Sequence, residues 1–450
     1  MLPCQYSWWV YTTCVVQDTL FLFSDDVLPP IDTRQTRPNK EKMHTNEQRD
    51  VFIAANRKEY GRHYDFLQFP TPGQAVAADT ERGELQDWLR KNAEIGCSDT
   101  KVDCRRLSPG CQTCADGGWS CLFINSRCNA TCFYCPAPQD ETGGPLTNGI
   151  PFESPEDYAE YVALFGFTGV SISGGEPLLT LDRTLTYLAA VRRRCGDSVH
   201  TWMYTNGTLL TKGMVDDLRE AGLDEIRFDI GATNYDLTKL RLAVGVIPTV
   251  TVEIPAVPEE EELLWDKLVE MAAAGVRHLN LHQLRLTPHN SRYLASRPYT
   301  FVHGEKVTVL ESELCALRLV RYAVEKGIDL PVNYCSFPYK RRFQQAATRR
   351  RNIPFVRGPG ETVTEAGYLR VLGTGNVQYF EAVAVPAISS HVAVVEIPLP
   401  SGRRIVVEKR PVSPSMPVAT SLFDELTLQT TLPDELLPFE RIPVGLAEYF

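Results

Sequence analysis

Eight of the thirteen cysteines (Cys97, Cys104, Cys111, Cys114, Cys121, Cys128, Cys132 and Cys135) fall within 39 consecutive residues of a 450-residue chain. A chain of this length buries a core without disulfides, and the cysteine total is odd. Such crowding reads as metal ligation in a reducing compartment rather than as a secreted disulfide framework. The densest stretch is Cys128-Asn-Ala-Thr-Cys132-Phe-Tyr-Cys135, with C-x3-C-x2-C spacing. Three thiolates on one short loop can hold three irons of a [4Fe–4S] cluster and leave the fourth iron open to an exchangeable ligand. Zinc is the alternative, although structural zinc usually takes four ligands in paired C-x2-C form.

The surroundings of this loop are regular. Short apolar stretches near 121–126, 169–173, 201–205, 225–230, 249–254, 278–284 and 328–334 read as strands. Amphipathic helices alternate with them. Ser154-Pro155-Glu156-Asp157 supplies an N-cap, a proline at the first helical position and acids in the first turn. Thr211 caps another helix that Gly222 ends, Gly275 closes 262–274, and Gly327 closes 313–326. Repeated strand–helix units predict an α/β fold with a parallel sheet, most simply a partial (β/α)6-type barrel over 120–351. Ligands bind such folds at the carboxyl ends of the strands, where the three-cysteine loop falls. Stretches 368–372, 377–385, 392–397 and 404–408, separated by Gly and Pro turns, predict a β-rich C-terminal domain over 352–450. Residues 43–119 read as a helical segment (46–60 and 80–91) followed by the cysteine-rich metal loop.

The three-cysteine motif, with Tyr134 before its last cysteine, resembles the radical S-adenosylmethionine (radical SAM) superfamily. Ser173-Gly174-Gly175-Glu176-Pro177 after the second strand resembles that superfamily's GGEP segment. The resemblance spans about 120–350. It implies a [4Fe–4S] cluster on Cys128, Cys132 and Cys135, with S-adenosylmethionine (SAM) chelating the open iron. It further implies reductive cleavage to a 5′-deoxyadenosyl radical that abstracts a substrate hydrogen. Tyr134 would cover the bound nucleotide, Gly174, Gly175, Glu176 and Pro177 would cradle the methionine amino group, and Thr205 and Asn206 would touch ribose or methionine. Arg227 and Asp229, two apart on the fourth strand, would face a carboxylate and a ribose. Glu253, Asn280 and His282 would line the same cavity. For each of these strand-end polar residues, plain capping of the barrel is an equal alternative.

Cys97, Cys104, Cys111, Cys114 and Cys121 precede the motif. Four of the five can close an all-thiolate site for iron or zinc, or a second cluster, and Cys121 can instead be a core thiol. This arrangement resembles a narrower branch, the iron-loop, cobalamin-dependent radical SAM methylases that modify an arginine of methyl-coenzyme M reductase. The chain lacks a D-x-H-x-x-G cobalamin signature, so any cobalamin would need the β-rich domain. Cys335, at the end of the last strand, is a candidate catalytic thiol that returns hydrogen to a substrate radical, or a metal contact; a buried strand-end cysteine is the equal alternative. Lys340-Arg341-Arg342 and Arg349-Arg350-Arg351 read as a solvated face or as a dock for an acidic peptide, phosphate or RNA.

Lys and Arg number 46 against 56 Asp and Glu, a net charge of −10, which argues against broad nucleic-acid binding. No apolar run approaches a membrane span, and residues 1–33 hold no Lys or Arg, so neither a secretory signal nor a transit peptide is read there. The expectation is a cytoplasmic enzyme with a ferredoxin- or flavodoxin-type reductant and a peptide or protein substrate. The other class weighed is an iron–sulfur electron carrier or assembly protein, which needs no SAM cradle. Residues 1–42 read as poorly ordered, or as a segment ahead of a start at Met43.

Overall fold

The computed structural model describes residues 40–97, 99–103, 105–141, 143–372, 377–386 and 394–412. Met1–Glu41 and Lys42–Phe450 are separate units, and the architecture below is that of the second. The expectations for the N-terminus fall outside the described residues up to residue 39, as do Cys4 and Cys14. Helix α1 (Lys40–Tyr60) comes first. Helix α2 (Pro72–Asn92) starts eight residues before the sequence-based expectation, because Thr71 and Gln74 form a reciprocal capping box. The Pro72-Gly73 pair inside it imitates a turn, which hides that start.

Two short strands, β1 (Glu94–Gly96) and β2 (Lys101–Asp103), form a hairpin, and helix α3 (Pro109–Ala115) follows behind a Ser108 cap. The alternating part then begins: β3 (Trp119–Arg127), α4 (Pro155–Leu164), β4 (Gly169–Gly174), α5 (Leu181–Cys195), β5 (His200–Thr205), α6 (Lys212–Glu220), β6 (Glu225–Phe228), β7 (Thr249–Pro255), α7 (Glu261–Ala274), β8 (His278–His282), α8 (Leu310–Glu325) and β9 (Val332–Cys335). The capping signals act as read: Asp157 N donates to Ser154 Oγ at 3.2 Å, and Met214 N to Thr211 Oγ at 3.3 Å. Strands β3 to β9 pair in parallel in sequence order, and β2 joins antiparallel to β9.

Alternation along these strands separates two buried layers. Leu122, Ile172, Met203, Ile226, Val252, Leu279 and Val332 lie in the main apolar core. The other face carries polar groups that are nonetheless buried, among them Ser171, Arg227, Asn280 and Asn333. Helix α3 packs on β3, β4 and β5, yet its Cys111 also lies within electrostatic reach of Cys335 on β9. The sheet therefore curls around its polar face, as a partial barrel requires.

Helix α9 (Gln345–Val356) leads to a five-stranded antiparallel sheet. It consists of Thr362–Val363, β10 (Leu369–Leu372), β11 (Val377–Val385), β12 (Val394–Pro398) and β13 (Arg404–Pro411), and α9 packs on β11. This is the β-rich C-terminal region read from the sequence. No helix among the described residues is long and apolar enough to cross a membrane.

Candidate active site

The three-cysteine loop leaves the carboxyl end of β3. Cys128 N donates to Gln139 O and Cys135 N to Cys132 O, both at 3.0 Å, so the loop is closed at each end. All three cysteines are free and partly exposed. Ala130 N at 3.4 Å and Asn206 Nδ2 at 3.7 Å both point donors at Cys128 Sγ. Burial, reinforced by Asp229, pushes the Cys132 thiol up to about 12 when nothing is bound. Metal is what makes such a thiol give up its proton. A set of three thiols on one loop, with donors already turned to sulfur, fits a [4Fe–4S] cluster with one open iron.

The GGEP segment lies beside this loop. A Cβ on Gly175 would stand 1.8 Å from Arg127 O, and one on Gly174, at φ +126°, would stand 2.1 Å from Asn125 O. Only glycine lets the two backbones approach so closely. Glu176 is 1% exposed and its carboxylate is already occupied. One oxygen accepts from Leu178 N at 3.0 Å and Thr205 Oγ at 2.8 Å; the other accepts from Asn206 N at 2.8 Å. The carboxylate thus brackets the end of β4 to the end of β5. Pro177 opens the short turn that follows.

Tyr134 and Asp229 meet. The hydroxyl donates to both carboxylate oxygens, at 2.9 and 3.0 Å. Burial raises Asp229 to about 6, partly offset by that hydroxyl and by Gly231 N. Arg227 does not join them. Its Nε donates to Glu225 at 2.8 Å, Nη1 to Glu253 at 2.6 Å, and Nη2 to Ser108 Oγ at 3.1 Å. It is spent holding α3 and two acids inside the curl of the sheet, because Glu225 lies two residues before it on the same face of β6 and the neighbouring β7 brings Glu253 beside it.

A cavity of about 240 Å³ opens beside Tyr134, lined also by His282, Arg285, Cys335 and Lys340. Lys340 Nζ donates to His282 Nδ1 at 2.9 Å, so His282 Nε2 carries the hydrogen and donates to Glu253. Burial and the Lys340 charge hold His282 below its usual range, so the ring is neutral. Burial opposes ionisation of Glu253, but Arg227 and His282 outweigh it and hold the carboxyl well below the usual range. Asn280 Nδ2 adds a hydrogen bond to Glu253 at 3.1 Å.

The five upstream cysteines are not gathered as one set. Among the described residues no three His, Cys, Asp or Glu side chains converge on a single ion. Cys104 lies outside the described residues. Cys121 sits on β3 next to the hydroxyls of Ser171 and Ser173. Cys97, Cys111 and Cys114 lie instead toward Cys335 and Lys101. Lys101 carried no sequence signal; only the pairing of β2 with β9 brings it there.

Residues 122–245 match the Radical SAM superfamily. A protein of Methanocaldococcus jannaschii whose name assigns it to glycyl-radical enzyme activation is 31% identical over 299 residues, covering 64% of this chain and 75% of that protein. The GTP 3′,8-cyclase of Desulforamulus reducens is 26% identical over 115 residues, covering 26% of this chain and 34% of that enzyme. The solved radical SAM methyltransferase TsrM from Kitasatospora setae, with tryptophan and a SAM analogue bound, aligns over 42% of this chain and 41% of its own, at 16% identity and a TM-score of 0.31.

Proposed function

We propose, since this chain belongs to the radical SAM superfamily, that it is an enzyme in which Cys128, Cys132 and Cys135 hold the [4Fe–4S] cluster and the substrate is a peptide or protein side chain. When bound, cluster and SAM supply a 5′-deoxyadenosyl radical able to take a hydrogen atom. The observation that carries the reading is the position of the three-cysteine loop. It stands at the carboxyl end of β3, with Tyr134 tied to Asp229 beside a cavity of about 240 Å³.

The chain's own residues have separable tasks. Glu176 fixes the ends of β4 and β5 to each other, which presents the Gly174 and Gly175 backbone beside Asn206. Asn206 bonds Asn129 Oδ1 at 2.8 Å and so sets the loop against β5. Asp229 orients Tyr134, which walls the cavity. His282, held neutral between Lys340 and Glu253, gives the cavity a polar floor. Cys335 reaches the same cavity.

The protein substrate is supported by the relative named for glycyl-radical enzyme activation. A ferredoxin or flavodoxin is the reductant this reading calls for. Anaerobic incubation of cluster-replete protein with SAM and dithionite tests it: 5′-deoxyadenosine is expected, and none from a sample of full iron content would refute it. S-adenosylhomocysteine as a coproduct would mark methyl transfer and redirect the assignment to the methylase branch.

A further inference from the structure

Four cysteines left over by the proposed function come together from distant parts of the chain. Cys111 and Cys114 stand one turn apart on α3, Cys97 lies in the turn between β1 and β2, and Cys335 ends β9. Lys101 marks their common neighbourhood. Its ammonium donates to Cys335 Sγ at 3.2 Å and to Asn333 Oδ1 at 2.7 Å, and stands 4.7 Å from the centre of the Tyr339 ring. Cys111 and Cys114 also lie within its electrostatic reach, and the Tyr339 hydroxyl lies within that of all four thiols.

Independent details point the same way. Gln344 Nε2 donates to Cys114 Sγ at 2.6 Å, and Asn333 Nδ2 to Cys335 Sγ at 3.5 Å. Together with Lys101, these donors treat sulfur as an acceptor, the part that a ligating thiolate plays. Cys97 adopts φ +55°, a left-handed conformation that a side chain of this type rarely takes. The turn is locked there: the Cys97 carbonyl accepts from Thr100 Oγ at 2.6 Å, and Ser336 N donates to Thr100 O at 3.2 Å. That last bond ties the Cys97 turn to the residue after Cys335. Lys101 and Arg227 are the cations within electrostatic reach of these sulfurs, and a metal centre would balance the charge that four thiolates add beyond them.

We infer that Cys97, Cys111, Cys114 and Cys335 ligate a second iron–sulfur cluster, distinct from the one on the three-cysteine loop. All-thiolate sets select iron–sulfur clusters or a single soft ion. No three acidic, histidine or cysteine side chains among the described residues converge on one ion, and the thiolates of a polynuclear centre stand further apart. The site goes beyond the proposed function and does not depend on it.

The test is metal analysis of the full chain, reconstituted anaerobically with iron and sulfide. In a Cys128→Ala, Cys132→Ala, Cys135→Ala variant, about a third to a half of the wild-type iron should remain, with matching acid-labile sulfide. Adding Cys111→Ser and Cys114→Ser should remove the remainder, whereas adding Cys121→Ser should not. Where the five-fold variant fails to fold by circular dichroism, Cys335→Ser in the otherwise native chain serves instead. It should abolish one of two iron–sulfur signals in the reduced protein's paramagnetic resonance spectrum. No iron in the loop variant, zinc in its place, or iron without sulfide each overturns the inference. Release of 5′-deoxyadenosine by wild type is read separately, so loss of one assignment leaves the other standing.

Discussion

Glu176 and Asn206 are joined by a 2.8 Å bond from the Asn206 backbone N–H to a carboxylate that is 1% exposed. The same carboxylate takes Leu178 N and the Thr205 hydroxyl on its other oxygen. Three donors saturate it in its charged form, although burial raises its affinity for a proton. Glu176→Gln must turn an NH2 toward one of those donors. The expected cost is roughly 1–3 kcal/mol, seen as a lower melting temperature. Iron on the three-cysteine loop should be retained while 5′-deoxyadenosine release falls. A variant with wild-type melting temperature and turnover would show that the bracket carries no weight.

Gly175 offers a sharper test, because the obstacle is backbone. Gly175→Ala places a methyl 1.8 Å from Arg127 O and 2.2 Å from Arg127 C. Neither atom can rotate away, so the end of β4 must separate from the three-cysteine loop. The expected result is loss of cluster iron and a melting temperature lowered by several degrees or more. Gly83→Ala on α2 meets nothing within 4 Å and should stabilise by about 1 kcal/mol. Equal effects of the two substitutions would refute the close-approach argument.

Gly175 shows what the sequence could tell. The spacing of Cys128, Cys132 and Cys135 and the GGEP run are local patterns, and local patterns survive in one dimension. The seven parallel strands were equally readable, since each is a short apolar run between capped helices. What Glu176 and Arg227 bond to was not. Both are polar residues at strand ends, and apart from Leu178 and Glu225, each two residues along the chain, the partners Thr205, Asn206, Glu253 and Ser108 come from segments between 26 and 119 residues away. The Cys97 and Cys335 neighbourhood was hidden for the same reason: an antiparallel strand, β2, adds to the far edge of the parallel sheet. Nothing in the spacing of residues 94–103 announces that edge.

Tyr134→Phe removes the only side-chain hydrogen bond given to the Asp229 carboxylate among the described residues, leaving Gly231 N at 3.1 Å. A buried acid short of a donor costs roughly 1–3 kcal/mol. The melting temperature should fall accordingly, while iron content stays at wild-type level because no cysteine changes. Binding of SAM, followed by equilibrium dialysis, should weaken because the cavity wall is no longer held. Unchanged stability would mean that the bond from Tyr134 does not stabilise Asp229.

The acid limb of stability should report Glu225. Its carboxylate is fully buried, which opposes charge, but Arg227 at 2.8 Å and His200 at 3.0 Å hold its folded-state value down to about 2. An unfolded glutamate titrates near its ordinary value of about 4.3. A depressed folded value means that the unfolded chain binds the proton more readily. The stabilisation is therefore fully present above the unfolded value and is lost as pH falls from about 4.3 toward about 2. Its size is on the order of 3 kcal/mol. Glu225→Gln should flatten the stability curve across that window and should also lower stability at neutral pH, because Arg227 loses one of its two acids. Urea unfolding at stepped pH measures both effects. A wild-type acid limb unchanged in slope by the substitution would assign it to other carboxylates.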